Sequence, residues 1–332
     1  MIKCPKEVIF SGGNFATISF LGCIQALIEN KGFEIKNIKR WVGTSGGAVI
    51  AFLLAIGYNP KKILNVIKEV PISKISQLSS DKWLTFFDKY GLHDTKCFRD
   101  LLKIFLTHLD YCEKITFMEF YEKTRIDLVF TTFCLNTDSL EVLNYEKTPD
   151  LKLLDGLCMA IAVPFLFLPV YYRNRMYVDG FLVSNHPIEM CSCNGEESIS
   201  FSLKNSKKYY DKIDLVTYLR ILIRSPLTKL QIVNLKCYKG KNYSILCDHE
   251  FDASFEISPE IIQKFYDCGY KTVKEEAVIK EEKKEAVIKE EVVIKEEAVI
   301  KEEVVIKEVK EEVVTKEIKK RGKKKCVKEN KD

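Results

Sequence analysis

The sequence predicts an α/β protein, a three-layer α/β/α sandwich with a mostly parallel central sheet. Short apolar runs of strand length alternate with longer runs of helix length from Val8 to Val178, which is the pattern of strand–helix–strand units in a parallel sheet. Glycines stand at the turns after the first two strand-length runs, at Gly12 and Gly43. The helix after the second turn is apolar on every side, as expected for a buried helix.

The strands are predicted from apolar runs that are too short for a helix of normal length. In chain order they are Val8–Phe10, Ile38–Val42, Leu128–Phe133 and Met176–Val178. The helices are predicted from longer apolar runs, and in chain order they are Ala16–Glu29, Gly46–Ile56, Pro60–Val70 and Leu151–Ala162. Asn59 marks the start of the third helix, because asparagine caps a first turn that tolerates Pro60.

The composition changes at about Lys274, where a repeat of six residues begins. Its clearest units are Glu275–Lys280, Glu290–Lys295, Glu296–Lys301 and Glu302–Lys307. Six residues advance an α-helix by ~600°, so the apolar triplet moves ~120° with each repeat and a coiled coil is disfavoured. We predict a folded domain at 5–270 and a low-complexity tail at 271–332 that is mobile or loosely helical.

The charge balance argues against nucleic acid as a partner. The 332 residues include 52 basic and 47 acidic ones, a net charge of +5, so no general field attracts nucleic acid and no specific nucleic-acid partner is expected. The local exception is the basic cluster Lys319–Lys325. We interpret it as a solvated tail, with contact to anionic lipid or nucleic acid as the alternative.

The cysteines and the first residues indicate a cytoplasmic protein. No stretch near Met1 has the apolar length of a signal peptide or a membrane span. Twelve cysteines without a secretory signal are expected to be reduced thiols. Two cysteine and histidine groups lack the paired spacing of a structural zinc site, so no metal is expected: His186 with Cys191 and Cys193, and Cys237 with Cys247 and His249.

Ser45 is the candidate nucleophile. It lies in Gly43-Thr44-Ser45-Gly46-Gly47, between a predicted strand and a predicted helix, and this is the context of a nucleophile elbow. The flanking glycines suit a tight turn that leaves no room for Cβ atoms. Because the same spacing occurs at ordinary turns, a partner for the serine has to decide between the two interpretations.

A serine hydroxyl needs a base, which is most often histidine. The four histidines are His93, His108, His186 and His249, and none has a clear triad context. His186 and His249 have the better claims, because each follows an aspartate as in the order Ser, Asp, His. Asp179 is the stronger candidate, since it ends a short predicted strand and is followed by Gly180.

Several segments together resemble the patatin-like phospholipases, which pair a serine with an aspartate and use no catalytic histidine. They are Phe10–Gly13, Ile18–Gly22, Gly43–Gly47, Ile56–Pro60, Ala160–Val170 and Tyr177–Ile188. The resemblance covers about Val8 to Ile188 in order and is weaker from there to Tyr270. The chain resembles members of this family from large DNA viruses and bacteria.

The resemblance implies a lipid acyl hydrolase of the phospholipase A type. By this analogy Ser45 is the nucleophile and Asp179 is the base that accepts its proton. Backbone N–H groups of Gly12, Gly13, Asn14 and Gly46 form the oxyanion hole, and Gly43, Gly47 and Gly180 support the motifs. The implied substrate is a phospholipid or another acyl lipid, so peripheral membrane contact is expected, and no cofactor is implied.

Four positions depart from the family pattern. The chain has Asn14 and Thr17 where relatives generally have glycine, Ala16 where they have lysine or arginine, and Phe181 where they have glycine or alanine. The alternative function is therefore a catalytically weakened patatin fold that binds lipid or a partner. A histidine-dependent hydrolase and an interaction protein that acts through its tail are further alternatives.

Overall fold

The computed structural model describes residues 5–69, 88–192, 195, 197–204, 211–213, 215–247, 257–275 and 316. The strands are β1 (Glu7–Phe10), β2 (Arg40–Thr44), β3 (Gly91–His93), β4 (Asp127–Cys134), β5 (Ser139–Leu143), β6 (Phe165–Phe167), β7 (Val170–Tyr172), β8 (Arg175–Asp179), β9 (Ser198–Lys204) and β10 (Lys241–Leu246). The helices are α1 (Ile18–Lys31), α2 (Gly46–Ala55), α3 (Pro60–Glu69), α4 (Lys96–His108), α5 (Phe117–Thr124), α6 (Leu153–Ala160), α7 (Leu215–Cys237) and α8 (259–275). Short 3-10 helices lie at Asn14–Thr17, Ile35–Asn37, Gly180–Leu182 and Ile188–Met190.

The central sheet has the strand order β10-β9-β1-β2-β4-β8-β7, with β5 also paired to β4. The strands from β10 to β4 run parallel to one another. In contrast, β5, β7 and β8 pair antiparallel with their neighbours. Parallel strands end at the same edge of a sheet, so the loop after β1 and the turn after β2 meet there.

The two faces of the sheet carry cores of unequal size. Successive strand residues point to opposite faces. Phe10 and Trp41 therefore lie in a large core with α1 and α2, whereas Ile9 and Val42 lie in a small cluster with Ile188. Helix α7 packs its half-buried Leu235 against that small cluster. Helices cover both faces, which makes three layers.

The predicted fold class is confirmed, and the differences from the predicted elements have local causes. Helix α1 begins at Ile18 instead of Ala16, because a 3-10 turn occupies Asn14–Thr17. The predicted strand Met176–Val178 is the antiparallel β8, which extends to Asp179. The strands and helices that follow β8 were not predicted, because buried serines alternate with apolar residues in β9 and obscure its apolar pattern.

The contacts within the chain divide it into two units, Met1–Lys274 and Glu275–Asp332. The repeats of the predicted tail lie outside the described residues, apart from Glu275 and Lys316. The same is true of Val70, the last residue of the third predicted helix. The boundary between domain and tail, and the mobile or loosely helical character of the tail, stay predictions.

Helices α1 and α8 cross with their backbones in contact. A Cβ on Gly22 would lie 1.9 Å from the carbonyl oxygen of Tyr266, and a Cβ on Gly269 would lie 1.7 Å from that of Ser19. At the same crossing the Cys23 thiol donates a hydrogen bond to the Gly269 carbonyl, with a distance of 3.1 Å. Only glycine fits at both positions, because rigid backbone atoms occupy the space a side chain would need.

We predict that Gly22→Ala lowers the free energy of unfolding by about 2 kcal/mol or more, because the added methyl forces the two helices apart. This loss exceeds the ~1 kcal/mol that alanine gains over glycine within a helix. The measurement is the midpoint of urea unfolding. Lys271→Ala, at an exposed position of α8, is the control and is expected to leave the midpoint unchanged. Equal midpoints for the two variants would contradict this account.

Candidate active site

Ser45 adopts a strained backbone conformation between β2 and α2, with φ 56° and ψ −130°. Residues other than glycine rarely have positive φ, and such strain concentrates at functional sites. The turn is closed by glycines. A Cβ on Gly43 would lie 2.5 Å from the Ala48 nitrogen, and one on Gly47 would lie 2.4 Å from the Ser11 carbonyl oxygen. The glycine spacing is therefore a steric requirement of this turn.

The loop after β1 lies directly against the Ser45 turn. A Cβ on Gly12 would lie 3.1 Å from Ser45 Cβ, and one on Gly46 would lie 2.7 Å from the Asn14 carbonyl oxygen. Asn14 has φ 49°, a left-handed conformation that asparagine adopts more readily than most residues. The Thr17 hydroxyl donates a hydrogen bond of 2.6 Å to the Asn14 carbonyl, which fixes the loop beside the start of α2.

Four backbone N–H groups at this junction differ in whether they donate a hydrogen bond within the described part of the chain. The Gly12 N–H donates a hydrogen bond of 2.8 Å to the carbonyl of Asn185. Within the described part of the chain, the N–H groups of Gly13, Asn14 and Gly46 have no protein acceptor. Backbone donors left unpaired beside a helix N-terminus are suited to bind a negatively charged oxygen.

Asp179 lies at the end of β8, where it pairs in register with Thr132 of β4. Its side chain is fully buried. One carboxylate oxygen, Oδ1, accepts a hydrogen bond of 3.0 Å from the Phe181 N–H, while Oδ2 is buried without a hydrogen-bond partner among the described residues. The backbone N–H of Asp179 is itself fixed, since it donates to the Ala162 carbonyl at 2.9 Å.

Burial raises the pKa of Asp179 to about 7, because a buried carboxyl group loses the water that stabilises its charge. Hydrogen bonding from the Ser45 hydroxyl opposes this rise, as does the bond from the Phe181 N–H. The hydroxyl is therefore close to the carboxyl group, although it does not complete a hydrogen bond of standard geometry to Oδ2. Such contacts are often loose before substrate binds.

A polar chain behind the site joins the strands that carry Ser45 and Asp179. The hydroxyls of Thr44 and Thr131 are 2.6 Å apart, and Thr44 also donates to the Ser184 carbonyl at 3.1 Å. Gly180 packs against the same group, because a Cβ there would lie 2.7 Å from Thr131 Oγ1. Neither threonine was predicted from the sequence. The only sequence signal was that Thr44 ends β2 beside the motif glycines, since Thr131 lies within β4, in register with Thr44.

Three of the histidines that the sequence left open lie in the described residues. His186 is buried with both ring nitrogens unpartnered, and burial lowers its pKa to about 3. A base has to lie within hydrogen-bond reach of the hydroxyl it activates, and His186 makes no such bond. His93 lies in the short strand β3, and His108 ends α4. His249 lies outside the described residues.

No group of three or more histidine, cysteine, aspartate or glutamate side chains in the described part of the chain is arranged to hold a metal ion. None of the helices described has the length and apolar character that a membrane span requires.

The fold and the site define a class of protein, an α/β sandwich with a strained serine at a strand-to-helix turn beside a buried aspartate. Comparison with known proteins identifies the family within this class. The family model described as patatin-like phospholipase matches residues 8–192. The chain belongs to the patatin-like phospholipase family, as its sequence motifs indicated.

Two relatives and one solved structure are similar to this chain. The chain is 31% identical over 227 residues to a probable lipid hydrolase of Invertebrate iridescent virus 6, with 65% of this chain and 71% of the relative covered. It is 23% identical over 283 residues to an uncharacterized protein of Acanthamoeba polyphaga mimivirus, with 82% and 94% covered. The crystal structure of VipD from Legionella pneumophila has a TM-score of 0.56 at 18% identity, with 82% of this chain and 66% of VipD covered, and so shares the fold.

We predict that Asp179→Asn makes the protein more stable than the wild type at pH 8. The pKa of Asp179 is about 7 in the folded protein and ~3.9 in an unfolded chain. The folded state therefore binds the extra proton, and wild-type stability falls as the pH rises from ~4 to ~7. Asparagine keeps the shape without the charge, so its advantage is expected to reach ~2–4 kcal/mol at pH 8 and to vanish near pH 4.

The measurement is urea unfolding of both proteins across this pH range. Asp100→Asn, at an exposed position of α4, provides the control and is expected to show no comparable trend. A stability difference that is independent of pH would mean that Asp179 does not carry a raised pKa.

Proposed function

We propose that this protein is a lipid acyl hydrolase of the phospholipase A type, which cleaves fatty-acyl esters through a serine acyl-enzyme. Ser45 is the nucleophile and Asp179 is the base. The observation that carries the proposal is the pairing of a strained, glycine-flanked serine with a buried carboxyl group whose pKa is about 7. An ordinary carboxylate with a pKa of ~3.9 is a poor base at neutral pH, whereas this one has the strength that proton transfer needs.

The first half of the reaction forms the acyl-enzyme. As Ser45 Oγ attacks the carbonyl carbon of the lipid ester, its proton passes to Asp179 Oδ2, the oxygen without a hydrogen-bond partner in the described residues. The carbonyl oxygen becomes an oxyanion. When the tetrahedral intermediate collapses, the ester bond to the alcohol breaks, and the alcohol leaves with the proton from Asp179.

The second half releases the fatty acid. Asp179 accepts a proton from a water molecule as the water attacks the acyl carbonyl carbon. Collapse of the second tetrahedral intermediate breaks the bond to Ser45 Oγ, which takes back a proton from Asp179. The product is a free fatty acid, and both side chains return to their starting states. These steps use only the two side chains, backbone donors and water.

The oxyanion is assigned to the N–H groups of Gly13, Asn14 and Gly46. These donors lack protein acceptors among the described residues, and the positive end of the α2 dipole adds to their effect. The Gly12 N–H contributes in a different way, because its bond to Asn185 holds the loop in place. Gly43, Gly47 and Gly180 support the site by allowing backbone segments to approach closely.

The alternative, a weakened patatin fold that binds lipid or a partner, is supported by Ala16. Relatives generally carry lysine or arginine there, and Ala16 instead packs against the edge of the core. The Gly12 N–H, already engaged by Asn185, leaves one donor fewer for the oxyanion. Both features reduce the charge stabilisation that the hydrolase needs, and the experiments below distinguish the two functions.

We predict that a fluorophosphonate probe labels the wild-type protein and does not label Ser45→Ala. Ester hydrolysis is expected to fall by at least ~10³-fold in Ser45→Ala and in Asp179→Asn, because a nucleophile and its base act as a unit. His186→Ala and His249→Ala provide the controls and should keep most of the activity. Absence of labelling in the folded wild type would refute the hydrolase and favour the binding protein.

The pH dependence of the wild type tests the role of Asp179 separately. Because the base acts in its ionised form, kcat/KM is expected to rise about tenfold per pH unit below pH ~7 and to level off above it. The pKa of about 7 sets the position of this limb. A limb centred near pH 4 would show that the ionisation of Asp179 does not control the reaction.

We predict that Ala16→Lys raises kcat for ester hydrolysis, because a cation beside the oxyanion loop stabilises the charge that forms there. The expected gain is about tenfold. Ala16→Met adds a side chain of similar length without charge and should give no gain. An equal effect of the two substitutions would show that the missing cation does not limit this site.

A further inference from the structure

Helix α7 carries positive charge and no negative charge. Between Leu215 and Cys237 the sequence has no aspartate or glutamate, and its charged residues are Arg220, Arg224, Lys229 and Lys236. Charged surface helices of globular proteins usually mix both signs. A helix with cations alone attracts an anionic partner and repels a second copy of itself.

One side of α7 exposes large apolar side chains to solvent. Tyr218, Leu222 and Val233 are 52%, 53% and 58% exposed, and Leu230 is also exposed. At 100° per residue these side chains, together with the exposed Lys229 and Lys236, fall within about half of the helix circumference. We call this stripe of Tyr218, Leu222, Lys229, Leu230, Val233 and Lys236 the α7 surface.

The opposite side of the same helix packs against the folded domain. Leu235 packs against the small core cluster beneath the sheet, and Asn234 is also only partly exposed. The α7 surface therefore does not face the sheet. Lysine side chains beside an exposed apolar stripe can extend their charged ends to lipid headgroups while the apolar side chains enter the interface, which suits a helix lying on a lipid surface.

Exposed apolar residues lie both on α7 and near the active-site edge of the sheet, although α7 ends at the opposite edge, where the Tyr238 hydroxyl is 2.6 Å from that of Ser198 at the start of β9. Helix α7 follows β9, whose Leu203 side chain packs against Gly13 of the oxyanion loop. Ile213, just before α7, is exposed, and so is Val183 between Asp179 and Asn185.

We propose that the α7 surface docks the protein on an anionic lipid bilayer, with the apolar side chains entering the interface and Lys229 and Lys236 contacting lipid phosphates. The proposal rests on the proposed lipid hydrolase function, because the substrate of such an enzyme is part of a lipid surface. A bilayer fits better than a second copy of the chain, because two such surfaces face to face would bring lysines together.

The experiment measures binding of the full chain to vesicles by co-sedimentation. The vesicles contain phosphatidylcholine alone or phosphatidylcholine mixed with phosphatidylserine. The wild type is expected to bind the mixed vesicles at least ~tenfold more tightly than the neutral ones, and the binding should weaken as salt is added. Hydrolysis of a short water-soluble ester by the same samples reports whether the active site is intact.

Two double variants separate the apolar part from the charge. Leu230→Ser with Val233→Ser, and Lys229→Glu with Lys236→Glu, should each lower binding to the mixed vesicles at least ~tenfold and leave hydrolysis of the soluble ester unchanged. The matched controls lie on α4. Ile104→Ser removes an apolar side chain that is 64% exposed, and Lys96→Glu reverses an exposed charge. Neither control should change binding by more than about twofold.

Three results would overturn the proposal. The first is wild-type binding by both double variants, or no preference of the wild type for anionic vesicles. The second is loss of binding when Lys323, Lys324 and Lys325 are replaced by glutamine, together with normal binding of the α7 variants. This result would assign docking to the basic terminus. The third is concentration-dependent dimerisation that the α7 substitutions abolish, which would assign the surface to a second copy.

Failure of the proposed function is distinguishable from failure of docking. Vesicle binding does not require turnover, so Ser45→Ala is expected to bind like the wild type. If no ester is hydrolysed by any sample but the α7 variants alone lose vesicle binding, docking stands and the hydrolase proposal fails. If esters are hydrolysed but the α7 variants bind normally, the hydrolase proposal stands and docking through α7 fails.

Discussion

The site depends on one steric constraint, the backbone of Ser45 held at positive φ between a strand and a helix. That conformation persists only where neighbouring backbone segments press against the turn from several sides. Gly43 and Gly47 permit this approach within the elbow, and Gly12 permits it from the loop after β1. Replacing any of these hydrogens by a carbon atom would push apart the segments whose contact keeps the serine in place.

The position of the elbow in the sheet sets the electrostatics of its partner. Strand β8 joins the sheet antiparallel to β4, and this direction brings Asp179 to the edge where β2 ends. The groups that act on the pKa of the carboxyl group there are uncharged, namely the Ser45 hydroxyl and the Phe181 N–H. Burial among uncharged neighbours raises the pKa towards neutrality, and the proposed mechanism uses this property of the carboxyl group.

The sequence predicted those parts of the structure that local pattern encodes. The glycine spacing around Ser45 and the fully apolar α2 predicted a tight strand-to-helix turn, because both requirements are met within a dozen residues of chain, but they did not distinguish a nucleophile elbow from an ordinary turn. The pairing of Ser45 with Asp179 came from family resemblance, since no local signal relates residues so far apart. The Gly12–Asn185 bond was not predictable from either residue, because it depends on how the loop after β8 folds back.

The burial of a side chain is likewise not predictable from the sequence alone. His186 had a better claim to be a base than most of the histidines, from its place after an aspartate, and only its packing shows that neither ring nitrogen has a hydrogen-bond partner among the described residues. Helix α7 was not predicted from the sequence because it contains a proline. Pro226 lies in its interior, and a proline normally argues for the end of a helix.

The bond between Gly12 and Asn185 has a consequence for how activity is lost. The short stretch from Asp179 to Asn185 holds the carboxyl group at one end and anchors the glycine loop at the other. The two ends of this stretch are therefore coupled through seven residues of backbone. In the proposed mechanism, local melting of the stretch would displace the base and release the glycine loop in the same event.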